Sequence, residues 1–220
     1  MTVKNTSEEV LLSEFRAVEI VEDLRSILNV ITRSLAIPLY LMFWIADTIY
    51  APQFKWQFLG LRLCIVPLCL GARQLIYKIQ SPVYAQLLCA TLSGLVALPI
   101  NIMIYFIPDI GTGYYAGLNL VAIGGLSFLP LTMNYFVWGA FSIYFPYYFV
   151  VLSKASSLQD LSAILINSFF IISSIIVCFV IRNYHETLRL RELNLRLALN
   201  LEITERTNKE MALLARDLVN

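Results

Sequence analysis

Between residues 34 and 181 the chain carries only eight charged side chains, five basic and three acidic, while the 33 residues before and the 39 after carry ten and thirteen. A stretch of 148 residues with so little charge cannot make the solvated outer face of an ordinary globular domain. It implies a block of helices that cross a lipid bilayer, with a charged helical segment at each end. The composition agrees, at 59% hydrophobic residues, 14% charged residues and a mean hydropathy of +0.72. The net charge of +1 argues against nucleic acid as a partner.

Interruptions divide the apolar block into six expected spans: Ser34 to Tyr50, Trp56 to Leu70, Val83 to Ile107, Tyr114 to Leu131, Met133 to Leu152 and Leu161 to Ile181. The expected fold class is therefore an all-α integral membrane protein. It is a six-transmembrane-helix bundle with an N-terminal amphipathic helix (1–33), a membrane domain (34–182) and a C-terminal cytoplasmic coiled-coil helix (183–220). The division at Pro130 to Asn134 is the narrowest. Arg25, Arg33, Arg73, Lys78 and Arg182 flank one side of these spans and only Lys55 and Lys154 the other, which places both termini in the cytoplasm. Residues 1–33 lack a short basic region leading into a cleavable apolar stretch, so no removed leader is expected.

Thr6 and Glu9 have capping-box spacing, and Leu11, Phe15, Val18, Val21, Leu24, Leu28 and Ile31 recur at helical intervals. The polar face of this helix is rich in Glu, which favours packing on a partner helix over lying on anionic lipid. Beyond Arg182, no Pro or Gly occurs. Glu192–Arg196, Glu202–Arg206 and Glu205–Lys209 are favourable i,i+4 pairs. Leu190, Leu197, Thr204, Met211 and Leu218 fall seven apart, joined by Leu193, Asn200, Thr207 and Leu214, as in a parallel dimeric coiled coil with a polar middle. Such a weak seam suits a helix that transmits motion, and Leu190, Leu193, Leu197, Thr204 and Met211 are its expected signal-transmission positions. The alternative is a solvated helix packed on its own protein.

The search for chemistry gives mostly exclusions. One histidine, His185, cannot assemble a metal or haem site, and it lies just past the last span as an interfacial residue. Cys64, Cys69, Cys89 and Cys178 all sit in apolar spans without Cys-x-x-Cys spacing. No metal, cofactor or catalytic machinery is expected within these residues. Polar residues inside spans are the stronger signal, because lipid makes them costly. Asp47, Arg62, Asn101, Tyr105, Asn119, Tyr147, Tyr148 and Asn167 all fall in the outer half. Asp47 and Arg62 share a depth on consecutive helices and predict a salt bridge, either a clamp for the bundle or part of a site. The candidate ligand-binding set is Asp47, Arg62, Asn101, Tyr105, Asn119, Tyr148 and Asn167. Pro38, Pro67, Pro99 and Pro146 interrupt four spans, and Trp44, Phe106, Tyr144 and Phe145 are candidate walls.

The run Gly113-Tyr114-Tyr115-Ala116-Gly117-Leu118-Asn119-Leu120, followed by Gly124-Gly125, opens the fourth span with small residues that allow close helix approach. Together with Leu61-Arg62-Leu63 in the second span and the Arg/Glu-rich helix after the sixth, it resembles the six-helix input domains of bacterial receptor histidine kinases and class III adenylate cyclases. Receptor kinases for α-hydroxyketone quorum-sensing signals are similar in architecture. The resemblance covers roughly residues 34–220. It implies a homodimeric receptor in the bacterial inner membrane that binds a small apolar or lipid-like signal and passes the change to an enzyme domain, a kinase in the first instance or a cyclase. No phosphoacceptor box, nucleotide loop or cyclase metal aspartates follow Leu218, so the expectation is the sensor and linker portion of a longer receptor. Two other classes stay open. A small transporter would use the same polar residues but shows internal repeats, and none is evident between 34–107 and 114–181. A membrane scaffold needs the coil but leaves the polar layer unexplained.

Overall fold

The computed structural model describes residues 18–107 and 113–219, the side chains of 35, 36, 197, 201 and 212–219 excepted. Thr6, Glu9, Leu11 and Phe15 lie outside the described residues, as do the side chains of Leu197, Leu214 and Leu218. No strand occurs among the described residues. The chain divides into two units, 1–182 and 183–220.

In the first unit, helix α1 (18–30) passes through a π-helical turn, Ile31–Ala36, into α2, Ile37–Tyr50. The boundary expected at residue 33 is therefore not a break. Pro38 cannot donate to the carbonyl four residues back, and the Ile37 N–H instead reaches Thr32 O, five residues back, so one extra residue is absorbed without ending the helix. Val21, Leu24 and Leu28 are buried in the same cluster as Ala72 and Ile76. The apolar face of this segment thus packs within its own chain. A short 3₁₀ turn, Pro52–Phe54, leads to α3, Lys55–Lys78, and then to α4, Pro82–Phe106, which opens on a proline whose missing N–H costs a first turn nothing. After α5, Tyr115–Ala122, a second π-helical turn covers Ile123–Ser127, and α6 spans Met133–Lys154. The last helix, α7, is Leu158–Val219. Ser157 Oγ accepts from the Asp160 N–H at 3.1 Å, and Asp160 Oδ2 accepts from the Ser156 and Ser157 N–H groups at 3.0 Å, the reciprocal pattern of a capping box.

Among the described residues, five segments are long and apolar enough to cross a membrane: Val18–Tyr50, Pro52–Lys78, Pro82–Phe106, Met133–Lys154 and Leu158–Met211. The fourth expected span is shorter, Tyr115–Ser127. Pro130 disfavours helix at the residue before it, so the chain leaves the helix early. Its freed backbone is satisfied by neighbours: the Thr132 N–H donates to Gln86 Oε1 at 2.6 Å, and Arg182 Nε donates to Leu131 O at 2.6 Å. These contacts join the start of α4 to the far end of α5, whereas Tyr114, at the near end of α5, bonds Asp47 late in α2.

Basic side chains close the ends of neighbouring helices, as the helix dipole favours. Arg25 donates to Ile76, Tyr77 and Ile79 carbonyls at the end of α3, and Lys154 to Ile104, Tyr105 and Ile107 carbonyls at the end of α4. The tightest packing joins α4 and α6. A Cβ on Gly94 of α4 would lie 2.6 Å from Ser142 Cβ of α6, and one on Gly139 of α6 3.7 Å from Ala90 Cβ of α4 and 2.6 Å from Leu126 Cδ2 of the second π-helical turn.

In the second unit, Glu192–Arg196, Glu202–Arg206 and Glu205–Lys209 form the exposed i,i+4 ion pairs that their spacing implies, at 2.5, 2.9 and 2.6 Å. Leu190, Thr204 and Met211 are exposed and Leu193 is buried.

Candidate ligand cavity

Helices α2, α3, α4 and α5 pack in sequence, α2 on α3, α3 on α4 and α4 on α5, which leaves α2 and α5 as the two flanks of the row. A cavity of about 320 Å³ lies against all four, within the range of small-molecule sites. Its walls are mostly apolar, among them Leu39, Phe43, Val96, Ile100, Leu120 and Val121. Cys69 and Cys89 also line it, while Cys64 is exposed on the outside of α3 and Cys178 is buried elsewhere. Both π-helical turns contribute, Ile31 and Thr32 from the first and Gly124 and Gly125 from the second.

The polar end is built by Asp47 and Arg62. Arg62 Nε donates to Asp47 Oδ2 at 2.6 Å and Nη2 to Oδ1 at 2.9 Å, a fork in which both side chains are buried, 0% and 3% exposed. Arg62 Nη1 also donates to Tyr40 O at 3.2 Å, and its guanidinium carbon lies 5.1 Å from the Tyr40 ring centre and 5.8 Å from that of Phe43. From the opposite flank the Tyr114 hydroxyl donates to Asp47 Oδ1 at 2.8 Å, and its ring meets Tyr50 edge-on at 6.3 Å.

The other expected site residues lie apart from these walls. Asn101 is buried between α4 and α6, where Nδ2 donates to Ala97 O at 3.2 Å and Ile143 O at 3.3 Å. Asn119 accepts from the Tyr144 hydroxyl at 3.0 Å, and Asn167 Nδ2 donates to the Tyr147 hydroxyl at 3.1 Å. Tyr148 is half-buried against Tyr147, and Tyr105 is exposed. Of the proposed wall aromatics, Trp44 donates to Lys55 O at 2.9 Å, and Phe106 and Phe145 face outward. Among the described residues, no group of three His, Cys, Asp or Glu side chains is placed to hold a metal ion.

Tyr40, Tyr114 and the glycines on either side of α5 were the residues the sequence left unassigned to the cavity. The glycines divide by task. A Cβ on Gly125 would collide with the Ser93 hydroxyl, so this residue permits close approach of the second π-helical turn to α4. Gly113 and Gly124 also border the cavity, yet a Cβ on either would meet no atom within 4 Å. They are openings in the wall, one in the turn before α5 and one in the π-helical turn after it. The chain matches no protein-family model, no curated protein and no solved structure.

Proposed function

We propose that the chain is the sensor module of a membrane receptor. In this reading its helices cross a bacterial cell membrane six times with both termini in the cytoplasm. The cavity takes up a small, largely apolar signal molecule, and residues 183–220 pair with a second copy and pass the change to a cytoplasmic output enzyme, a histidine kinase or, as the alternative, a class III adenylate cyclase. The observation that carries the reading is a mainly apolar cavity with a single buried ion pair at one end. A bundle clamp needs the pair but not the space beside it. The ends closed by Arg25 and Arg182, against the end holding Lys154, support the orientation through the bias of basic residues.

Two measurements test it. The purified protein is heated with fractions of a chloroform extract of spent bacterial medium. A fraction that raises the melting temperature of the wild type but not of Gly124→Leu supports a ligand cavity, and no such fraction from any producing culture argues against one. Cysteines placed singly at Leu190, Leu193 and Thr204 are oxidised in membranes. Disulfide-linked dimers at heptad positions are expected, and their absence at all three overturns the paired helix.

A further inference from the structure

Resting on these helices crossing a bilayer in the proposed orientation, we infer a second site, away from the cavity: Asn29 of α1 and Arg73 of α3 together hold the head of a phospholipid of the cytoplasmic leaflet, one with a phosphodiester and an uncharged hydroxyl, as in phosphatidylglycerol. Neither residue lines the cavity, so the site is independent of what the cavity takes up.

The placement follows from the contacts on either side. Arg25 meets Tyr77 O near the end of α3, while Tyr40 O meets Arg62 nearer its start, so α1 and α2 run antiparallel to α3. Asn29 stands four residues beyond Arg25, on the same face of α1, and Arg73 stands four residues before Tyr77. Both therefore lie about 6 Å further into the membrane than the Arg25–Tyr77 contact, at one level on neighbouring helices. Arg73 also follows closely on Leu70, where the second expected span ends, which puts this level at the lipid head groups.

The two side chains are incomplete without a third group. Asn29 Oδ1 and Arg73 Nε are buried, and neither has a hydrogen-bond partner among the described residues. Arg25 is committed to the Ile76, Tyr77 and Ile79 carbonyls. An acceptor and a donor thus share a level without bonding each other, and a buried polar atom left unmade is costly. A group that satisfies both must accept from a guanidinium and donate to an amide oxygen. Phosphate oxygens match the guanidinium fork, and a hydroxyl attached beside the phosphate donates to Asn29. Arg73 as a whole is only half-buried, so a head group reaches it from the bilayer surface. The surrounding charge selects among heads. Arg33 and Lys78 are exposed at this end of the bundle, α3 has no carboxylate, and Asp23, the nearest along α1, is six residues from Asn29. An ethanolamine head would bring an ammonium into basic surroundings, and a choline head has no donor for Asn29.

The test uses the full chain, freed of lipid in an uncharged detergent and mixed in turn with equal concentrations of dioctanoyl phosphatidylglycerol, phosphatidylethanolamine and phosphatidylcholine. Native mass spectrometry counts the lipid retained, and the melting temperature reports folding. Phosphatidylglycerol is expected to be retained about fivefold or more above either other lipid, and Arg73→Met to lower that retention about tenfold, the loss of a hydrogen-bonded charge pair. Arg73→Lys keeps the charge without the fork and should fall between the two. Asn29→Leu should bring phosphatidylglycerol down to the level of phosphatidylcholine. Without lipid, Arg73→Met should melt no lower than the wild type, since it removes a buried donor that has no partner; a lower melting temperature overturns that premise. Equal retention of all three lipids, or an Arg73→Met variant that holds phosphatidylglycerol as the wild type does, overturns the site. Phosphatidylethanolamine held as well as phosphatidylglycerol overturns the uncharged head, and phosphatidylcholine held as well overturns the bond to Asn29. Inorganic phosphate that displaces the lipid at equal concentration overturns a lipid as the source of the phosphate. Gly124→Leu, which fills the cavity, should leave phosphatidylglycerol retention unchanged, so failure here and failure of the cavity reading are told apart.

Discussion

Replacing Arg62 with Met should be among the most damaging single changes available to this chain. The substitution removes two charge-assisted hydrogen bonds and leaves the Asp47 carboxylate fully buried with only the Tyr114 hydroxyl as a partner. Breaking a buried pair from one side costs about 3–5 kcal/mol. The converse change, Asp47→Leu, strands a guanidinium that still has Tyr40 O and the faces of Tyr40 and Phe43. Each such face is worth about 0.5–2 kcal/mol to a desolvated cation, so Asp47→Leu should cost less than Arg62→Met by roughly that amount. The double variant removes both charges and keeps approximate volume. It should lie within about 1–2 kcal/mol of the wild type, the residual cost being the lost Tyr114 bond. The coupling between the two sites is then at least about 2 kcal/mol. Equilibrium unfolding in mixed micelles measures it, with a thiol-reactive dye reporting exposure of the buried Cys69, Cys89 and Cys178. Singles that each cost under about 1 kcal/mol and simply add in the double would refute the claim that the pair is buried and mutually dependent.

Three further outcomes follow from named contacts. Gly94→Ala forces a methyl against Ser142 Cβ at 2.6 Å and should cost about 1–3 kcal/mol, whereas Gly60→Ala, with nothing within 4 Å, should stay within about 0.5 kcal/mol in the same unfolding assay. Gln86→Leu strands the Thr132 N–H, so hydrogen exchange at residues 131–133 should quicken and stability drop by about 1–3 kcal/mol, while unchanged exchange there would mean water replaces Gln86. Tyr40→Phe frees the Val96 carbonyl, which the hydroxyl holds at 3.0 Å, and should cost about 1 kcal/mol without altering the Asp47–Arg62 pair, as a comparison of the coupling energy in both backgrounds would reveal.

What could be read from the sequence was whatever depends on distance along a helix. The three ion pairs past Arg182 need only the i,i+4 rule, and Asp47 with Arg62 needs only equal depth on adjacent antiparallel helices. Rotation about the helix axis was not legible, and rotation decides which polar residues meet. Thr32 and Tyr40, eight residues apart, are both buried and both line the cavity. In an unbroken α-helix that spacing turns them about 80° apart, and the π-helical turn at Ile31–Ala36 absorbs the extra residue. The second such turn, at Ile123–Ser127, likewise shifts the phase of the residues after it. Asn101, Asn119 and Asn167, grouped by depth, face different neighbours and end in three separate hydrogen-bonded contacts.

Those contacts have a physical reason rooted in the prolines. Pro99 and Pro146 each interrupt the hydrogen-bond ladder of their helix, and the carbonyls just upstream become available to side chains from neighbours. Tyr40 reaches Val96 O, three residues before Pro99, and Asn101 reaches Ile143 O, three residues before Pro146. Each polar side chain therefore bonds the carbonyl next to the one its proline deprives of a donor, Leu95 and Ser142 respectively, in a turn that the proline ring distorts. Asn119 with Tyr144 and Asn167 with Tyr147 bond one another between helices. The Asp47–Arg62–Tyr114 group differs because it faces open space. No broken helix calls for a carboxylate, and the guanidinium needs only its one backbone acceptor at Tyr40 in addition to the fork. A polar residue in a span is thus best sorted by whether it bonds the backbone of a neighbouring helix near a proline. Asn101 passes that test as a structural group, and the ion pair with its tyrosine is left as the part of the polar layer that a ligand can use.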